Sequence, residues 1–325
     1  MQRSQVDAPS LEFHSDVSLA ESTTLGVGGN AMWLVEIDSL HKLQQAQAWA
    51  AERALPILYI GDGSNVLFSD KGFRGLVIQN EIQGCDSYSD ELDVGGGTDL
   101  SELIRKANSL NLTGMECMYG IPGTVAGALV GNAGAYGQEI GDVVTQVSVW
   151  SGSQIRVLAA ADLQFDYRHS VFKTEPDQFI LQCQLRLARS SKKLQKRSDE
   201  ILSKRNPKYP PGLRCPGSFF KNIPIEKLSK TTLEKVEHFV MFDKVPAGRL
   251  LEAVGANGSR RGDAQIAPYH GNLIMNTGHA TTRDILWLAN LYAGKVWERF
   301  QVRLEPEILI VDNSDWPYLH TGGQG

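Results

Sequence analysis

The chain has 325 residues, 42% hydrophobic and 21% charged, with a net charge of −5, an ordinary globular composition with room for two domains. The acidic balance builds no basic stripe, which argues against a nucleic-acid partner, and four cysteines without a CxxC pair argue against a zinc knuckle or a disulfide framework. No uncharged run approaches the roughly 18 apolar residues of a membrane span and the polar start lacks a secretory apolar region, so a cytoplasmic location is expected.

Residues 1–20 read as a loose leader, and the glycines of TTLGVGG (23–29) then open the folded part without making GxGxxG, so a Rossmann reading fails on spacing. Residues 38–54 carry Leu40, Leu43, Ala46, Trp49 and Ala50 at helical spacing, with Asp38 or Ser39 as N-cap. Residues 56–60 form a buried-type strand leading into the glycine loop IGDGSNVL (60–67), which lacks the GK[ST] of a P-loop. Short strands are expected at 76–79 and 92–94, and an amphipathic helix at 98–110. Residues 143–150 read as a strand paired with 155–158 across Ser151-Gly152-Ser153, and Phe179, Leu181, Cys183, Leu185 and Leu187 alternate strictly. A helix over 193–204 holds most of the richest basic stretch, read as a solvated face. Helices at 247–254 and 282–300 and a strand over 302–311 follow. Mixed helix and strand, then more strand, is α+β rather than doubly wound.

Residues 114–137, GMECMYGIPGTVAGALVGNAGAYG, are rich in Gly and Ala, with one acid and no Lys or Arg. Each Gly inside a helix costs about 1 kcal/mol relative to Ala, so the run is read as non-helical. Ile121, Val125, Leu129 and Val130 make it too apolar for a tether. Backbone that must approach a ligand closely is the remaining reading, with amide N–H groups facing a phosphate. Two tight turns of a β-rich fold are the plain alternative. Arg168, among the apolar and aromatic residues of FDYRHSVF, needs an anion, by default a buried ion pair. Ser218 after Pro216-Gly217 is by itself a turn or cap residue. Glu305 and Glu307 would share one face of a strand, by default a solvated edge pair. A lone His beside an apolar strand, His270, is taken as structural.

In TTLGVGGNA, IGDGSNVLF, GIPGTVAGALVGNAGAYG, FDYRHSVF, PGSFFKN and LEPEI, in that order, the chain resembles the UDP-N-acetylenolpyruvoylglucosamine reductase (MurB) family over most of its length. The resemblance implies a noncovalent FAD domain of the vanillyl-alcohol-oxidase-like (PCMH) type over 21–190 and a smaller α+β substrate domain over 191–312, with a tail at 313–325. It would place Gly61, Gly63, Ser64 and Asn65 at the pyrophosphate. Gly120, Ile121, Pro122, Gly123, Thr124 and Gly127, then Asn132, Ala133, Gly134, Ala135 and Tyr136, would run along the rest of the cofactor. It assigns Arg168 to the enolpyruvyl carboxylate, Ser218 to protonation of C2, and Glu307 as the third catalytic residue. Asn222, and with them Lys221 and Lys208, would face the nucleotide-sugar, and no metal is implied. NADPH would be the reductant, UDP-N-acetylglucosamine enolpyruvate the substrate, and the protein a monomer.

Two departures accompany the resemblance. The interval from Arg168 to Ser218 is short, so an inserted Tyr-bearing loop of some members is expected to be absent, and the stretch 260–269 looks rewritten. Another FAD oxidoreductase of the same fold, acting on an alcohol, is opposed by PGSFFKN with LEPE. A catalytically dead nucleotide-sugar or flavin-binding protein is opposed by the intact Arg168, Ser218 and Glu307.

Overall fold

The computed structural model describes residues 11–311; the expectations for residues 1–10 and for a tail at 313–325 lie outside the described residues. Helices and strands are mixed along the chain, which is α+β. They gather into two compact units that interleave in sequence: residues 11–17 with 31–61 and 74–197, and residues 18–30 with 62–73 and 198–311. Among the described residues no helix is long and apolar enough to cross a membrane.

The first unit holds a four-stranded and a five-stranded sheet, besides two short two-stranded pairings. The four-stranded sheet runs His14–Ser18, Asn30–Ile37, Phe73–Asn80, Ile57–Ile60 in spatial order. Its last two strands are parallel, with Ile57 opposite Leu76. Helix Leu40–Glu52 begins where Ser39 accepts a hydrogen bond from the Lys42 N–H. It buries Leu43, Ala46 and Ala50 among Val35, Ile37, Leu76, Ile78, Trp150 and Phe179, the stripe its 3.6-residue period dictates. Within the stretch read as a leader, His14–Ser18 is the outer strand and Leu19 is fully buried. Its polar sequence HSDVS suits an edge and therefore shows no alternation.

The five-stranded antiparallel sheet has Phe179–Arg186 at its centre, with Val144–Trp150 on one side and Glu91–Gly95 on the other. Ile155–Ala159 pairs with Val144–Trp150 as the turn signal indicated. Helix Leu100–Ser109, capped by Asp99, sends Leu103, Ile104 and Ala107 into a cluster with Leu92, Val147, Cys183 and Leu185.

In the second unit, helix Thr282–Phe300 buries Ile285, Leu288, Tyr292 and Val296 against Leu250, Leu251, Ala264, Ile266 and Ile274. A small antiparallel sheet, Arg260–Arg261, Ala264–Ile266 and Ile274–Asn276, supplies part of that cluster. Val66–Phe68 pairs in parallel with Leu309–Val311, and Leu25, Val27 and Leu67 join the same core. This pairing explains why early segments cluster with the C-terminal half. The strand expected over 302–311 is confined to Leu309–Val311. Pro306 has no N–H to give a ladder, so only an isolated bridge to Phe220 forms there.

Candidate functional site

In the first unit the glycine-rich segment does contain a helix, Val125–Gly131, contrary to the expectation from its glycines. The helix is short, and Thr124 caps it by accepting from the Gly127 N–H. Val125, Ala128 and Leu129 are buried, and this apolar face offsets the glycine cost of about 1 kcal/mol each. It ends at Asn132, whose φ of 41° is left-handed. The two glycine segments meet here: a Cβ on Gly61 would lie 2.4 Å from the Thr124 hydroxyl oxygen. Glycine at 61 is thus required for close approach.

Several amides expected to face a phosphate are used inside the protein. Ile121 N–H donates to Met118, Val125 N–H to Thr98 and Ala126 N–H to Gly96, all at carbonyl oxygens, and Gly120 N–H reaches the Ser101 hydroxyl at 3.4 Å. A ligand along this stretch therefore meets bare backbone more than these donors. At Gly131 and Gly137 an added Cβ would meet nothing within 4 Å, and at Gly127 only the Thr124 hydroxyl at 3.6 Å. An open face of glycine backbone beside the exposed Tyr136 fits a large flat group such as a flavin nucleotide.

Arg168 sits half-buried in a tight turn at a φ of 54°, closed by the bridge between Asp166 and His169. Its guanidinium donates to the carbonyls of Asn132 at 3.3 Å and Gly134 at 2.9 Å, which ties it to the end of the glycine-rich segment. Buried Asn132 organises that corner. Its amide donates to Glu139 at 2.7 Å and to the Asp166 carbonyl at 3.1 Å, and its oxygen accepts from Gly141 at 3.0 Å. Lys173 donates to the Arg168 carbonyl at 2.9 Å.

In the second unit, Gly63 has a φ of 61°, and a Cβ there would lie 2.0 Å from the Ser22 carbonyl oxygen. The Thr24 hydroxyl donates to the carbonyls of Ser64 at 3.2 Å and Cys215 at 3.1 Å. Asn65 fastens the C-terminal stretch: its amide donates to the Glu307 carbonyl at 3.2 Å, and its own carbonyl accepts from Leu309 N–H at 2.9 Å.

The Ser218 and Glu307 segments lie side by side. Glu307 N–H donates to the Phe219 carbonyl at 2.8 Å, and Lys221 N–H to the Glu305 carbonyl at 2.9 Å. The two glutamates differ in surroundings: Glu305 is exposed and pairs with Lys221 at 3.6 Å, whereas Glu307 is half-buried. Asn222 accepts from the Ala247 N–H at 3.2 Å, at the start of helix Ala247–Ala253. Ser218 is half-buried, 3.3 Å from the Tyr209 hydroxyl. Lys208 rests on the Tyr209 ring at 5.0 Å.

Two residues here escaped the sequence reading. Asn272, 2% exposed, brackets Phe220 with its side chain, accepting from its N–H at 2.9 Å and donating to its C=O at 2.8 Å. Nothing in HGNLIMN marks it out. Tyr209 stands next to a named lysine in a Pro-rich stretch, a signal too common to single it out. Around them burial, helped by the charge of Lys208, lowers the His270 imidazole to about 4, leaving it neutral near pH 7. Burial also raises the Cys215 thiol and the Tyr269 phenol. Among the described residues no group of His, Cys, Asp and Glu is placed to hold a metal ion.

Comparison with known proteins gives two family matches. Residues 33–154 match the model described as an FAD binding domain, and residues 209–311 match the C-terminal domain of UDP-N-acetylenolpyruvoylglucosamine reductase. The reductase of that name from Solibacter usitatus is 37% identical over 93% of this chain and 98% of its own. The one from Acaryochloris marina is 35% identical over 93% and 94%. The solved structure of UDP-N-acetylenolpyruvylglucosamine reductase from Thermus caldophilus has a TM-score of 0.73 at 31% identity, covering 95% of this chain and 99% of that one.

Proposed function

The chain belongs to the UDP-N-acetylenolpyruvoylglucosamine reductase family, and on that premise we propose that it reduces UDP-N-acetylglucosamine enolpyruvate to UDP-N-acetylmuramate for peptidoglycan synthesis. FAD, bound noncovalently, would supply the hydride chemistry between NADPH and C3 of the enolpyruvyl group. The first glycine loop and the stretch from Gly120 to Tyr136 would hold it. Arg168 binds the substrate carboxylate with its planar fork and offsets the negative charge of the enolate. Glu307 is the third catalytic residue, and Ser218 holds the proton that goes to C2. Asn222, Lys221 and Lys208 receive the nucleotide-sugar. The enzyme acts as a cytoplasmic monomer.

The observation that carries this reading is the pairing of the Ser218 and Glu307 segments through Phe219, which puts a hydroxyl and a half-buried carboxylate on neighbouring backbone. The test is the visible spectrum of the purified protein under anaerobic conditions. The protein should be yellow, bleach with NADPH and recover its colour when the enolpyruvyl substrate is added. A colourless protein that takes up no FAD in titration would remove the flavin reading. Bleaching by NADPH without recovery on substrate would point to another oxidoreductase.

A further inference from the structure

We propose that Tyr209 positions the Ser218 hydroxyl and resupplies its proton, a role that rests on the one given to Ser218 above. The Tyr209 oxygen lies 3.3 Å from Ser218 Oγ. The ring is held from several sides. Its backbone N–H donates to the Arg205 carbonyl at 2.8 Å, at the end of helix Leu194–Arg205. The Arg205 guanidinium and the Lys208 ammonium rest on the ring at 5.2 and 5.0 Å. The Tyr269 hydroxyl donates to the Lys208 carbonyl at 3.3 Å. A phenol fixed in this way is a directed donor rather than a mobile one.

When the Tyr209 O–H donates to Ser218 Oγ, the serine hydrogen is left to point elsewhere, toward the substrate carbon. Ser218 alone is a poor acid. As its O–H bond breaks and the new C–H bond forms at C2, the nascent alkoxide takes the phenolic proton. A phenol is a much stronger acid than an alkyl alcohol, so this second transfer runs downhill. The phenolate then regains its proton from solvent, and no oxidant or reductant enters.

The test uses the full-length holoenzyme and Tyr209→Phe, which keeps the ring and deletes the hydroxyl. Flavin bleaching by NADPH should be unchanged. Recovery of colour with substrate should slow about tenfold, the scale of one lost hydrogen bond. In mixtures of light and heavy water the wild-type rate should show two protons in motion and the variant one. Ser218→Ala with Tyr209→Phe should be no slower than Ser218→Ala alone. A second readout needs no turnover: the thiol introduced by Ser218→Cys should be alkylated with a higher pH midpoint once Tyr209 is Phe, because a donor to the thiolate is lost. An unchanged midpoint with an unchanged recovery rate would overturn the Tyr209 role and leave Ser218 in place. If Ser218→Ala itself recovers colour normally, the Ser218 reading fails, and the thiol midpoint still reports whether Tyr209 donates to position 218. Equal slowing of both half-reactions in Tyr209→Phe would make it a packing residue.

Discussion

The turn that carries Arg168 and the segment that carries Ser218 are fixed in opposite ways. Arg168 itself occupies left-handed backbone at a φ of 54°, a conformation that costs a non-glycine residue about 1–3 kcal/mol and persists where its surroundings over-determine it. Asn132, Gly134 and Lys173 supply that constraint through their bonds to the arginine and its turn. At Ser218 the left-handed residue is the preceding Gly217, φ 85°, with open space where a Cβ would be. The hydroxyl is then aimed by the backbone that follows it, which Asn272 and Glu307 hold at Phe219 and Phe220. The first region holds a charged fork on strained backbone, and the second holds a neutral hydroxyl by a few neutral hydrogen bonds to its neighbours.

The largest expected effect is at the second region. Ser218→Ala should leave bleaching by NADPH near its wild-type rate and slow colour recovery with substrate about 10²–10⁴-fold, as for a lost general acid. Stopped-flow of the two half-reactions separates these, and equal slowing of both would return Ser218 to a turn residue. At the first region, Arg168→Lys keeps the charge and loses the planar fork. Turnover should fall about 10²–10³-fold, as for a lost electrostatic stabiliser. Near-normal steady-state rates would mean that the carbonyl bonds to Asn132 and Gly134 are its whole purpose.

A smaller effect tests the support rather than the side chains. Asn272→Ala strips Phe220 of partners for a buried N–H and C=O. At about 1–3 kcal/mol for each of the two unsatisfied groups, stability should fall by about 2–6 kcal/mol in chemical denaturation. A loss near zero would show that the Pro306 bridge and the Phe219 bonds suffice. The smallest effect concerns His270. Its folded value near 4 lies below the ordinary unfolded value near 6.5, so between them the unfolded chain binds more protons. The stability it contributes is present above about pH 6.5 and is lost as pH falls through about 4. His270→Asn, which cannot titrate, should flatten that part of the stability curve, and identical curves would sink the assignment.

Much of the helix content was legible because periodicity reports burial. Thr282–Phe300 is delimited by its own cap and apolar stripe, and Leu40–Glu52 by Ser39. The residues proposed for the site rest on the resemblance, since a lone Arg, Ser or Glu carries no local signal of a role. Where local reasoning failed, a tertiary term won. Val125–Gly131 is helical despite two glycines, because its buried face outweighs propensity. His14–Ser18 is a strand because a sheet edge accepts a polar sequence.

The α+β class, most elements, the two glycine segments and the family follow from the order of residues alone, since they depend on local pattern and ordered motifs. That Gly61 meets Thr124, that Arg168 is tied to Asn132 and Gly134, and that Asn272 and Tyr209 lie against the Ser218 segment follows only from the folded chain. Those contacts join residues from 9 to 63 positions apart, and a hydrogen bond or a close approach is set by distance in space, which no spacing along the chain encodes.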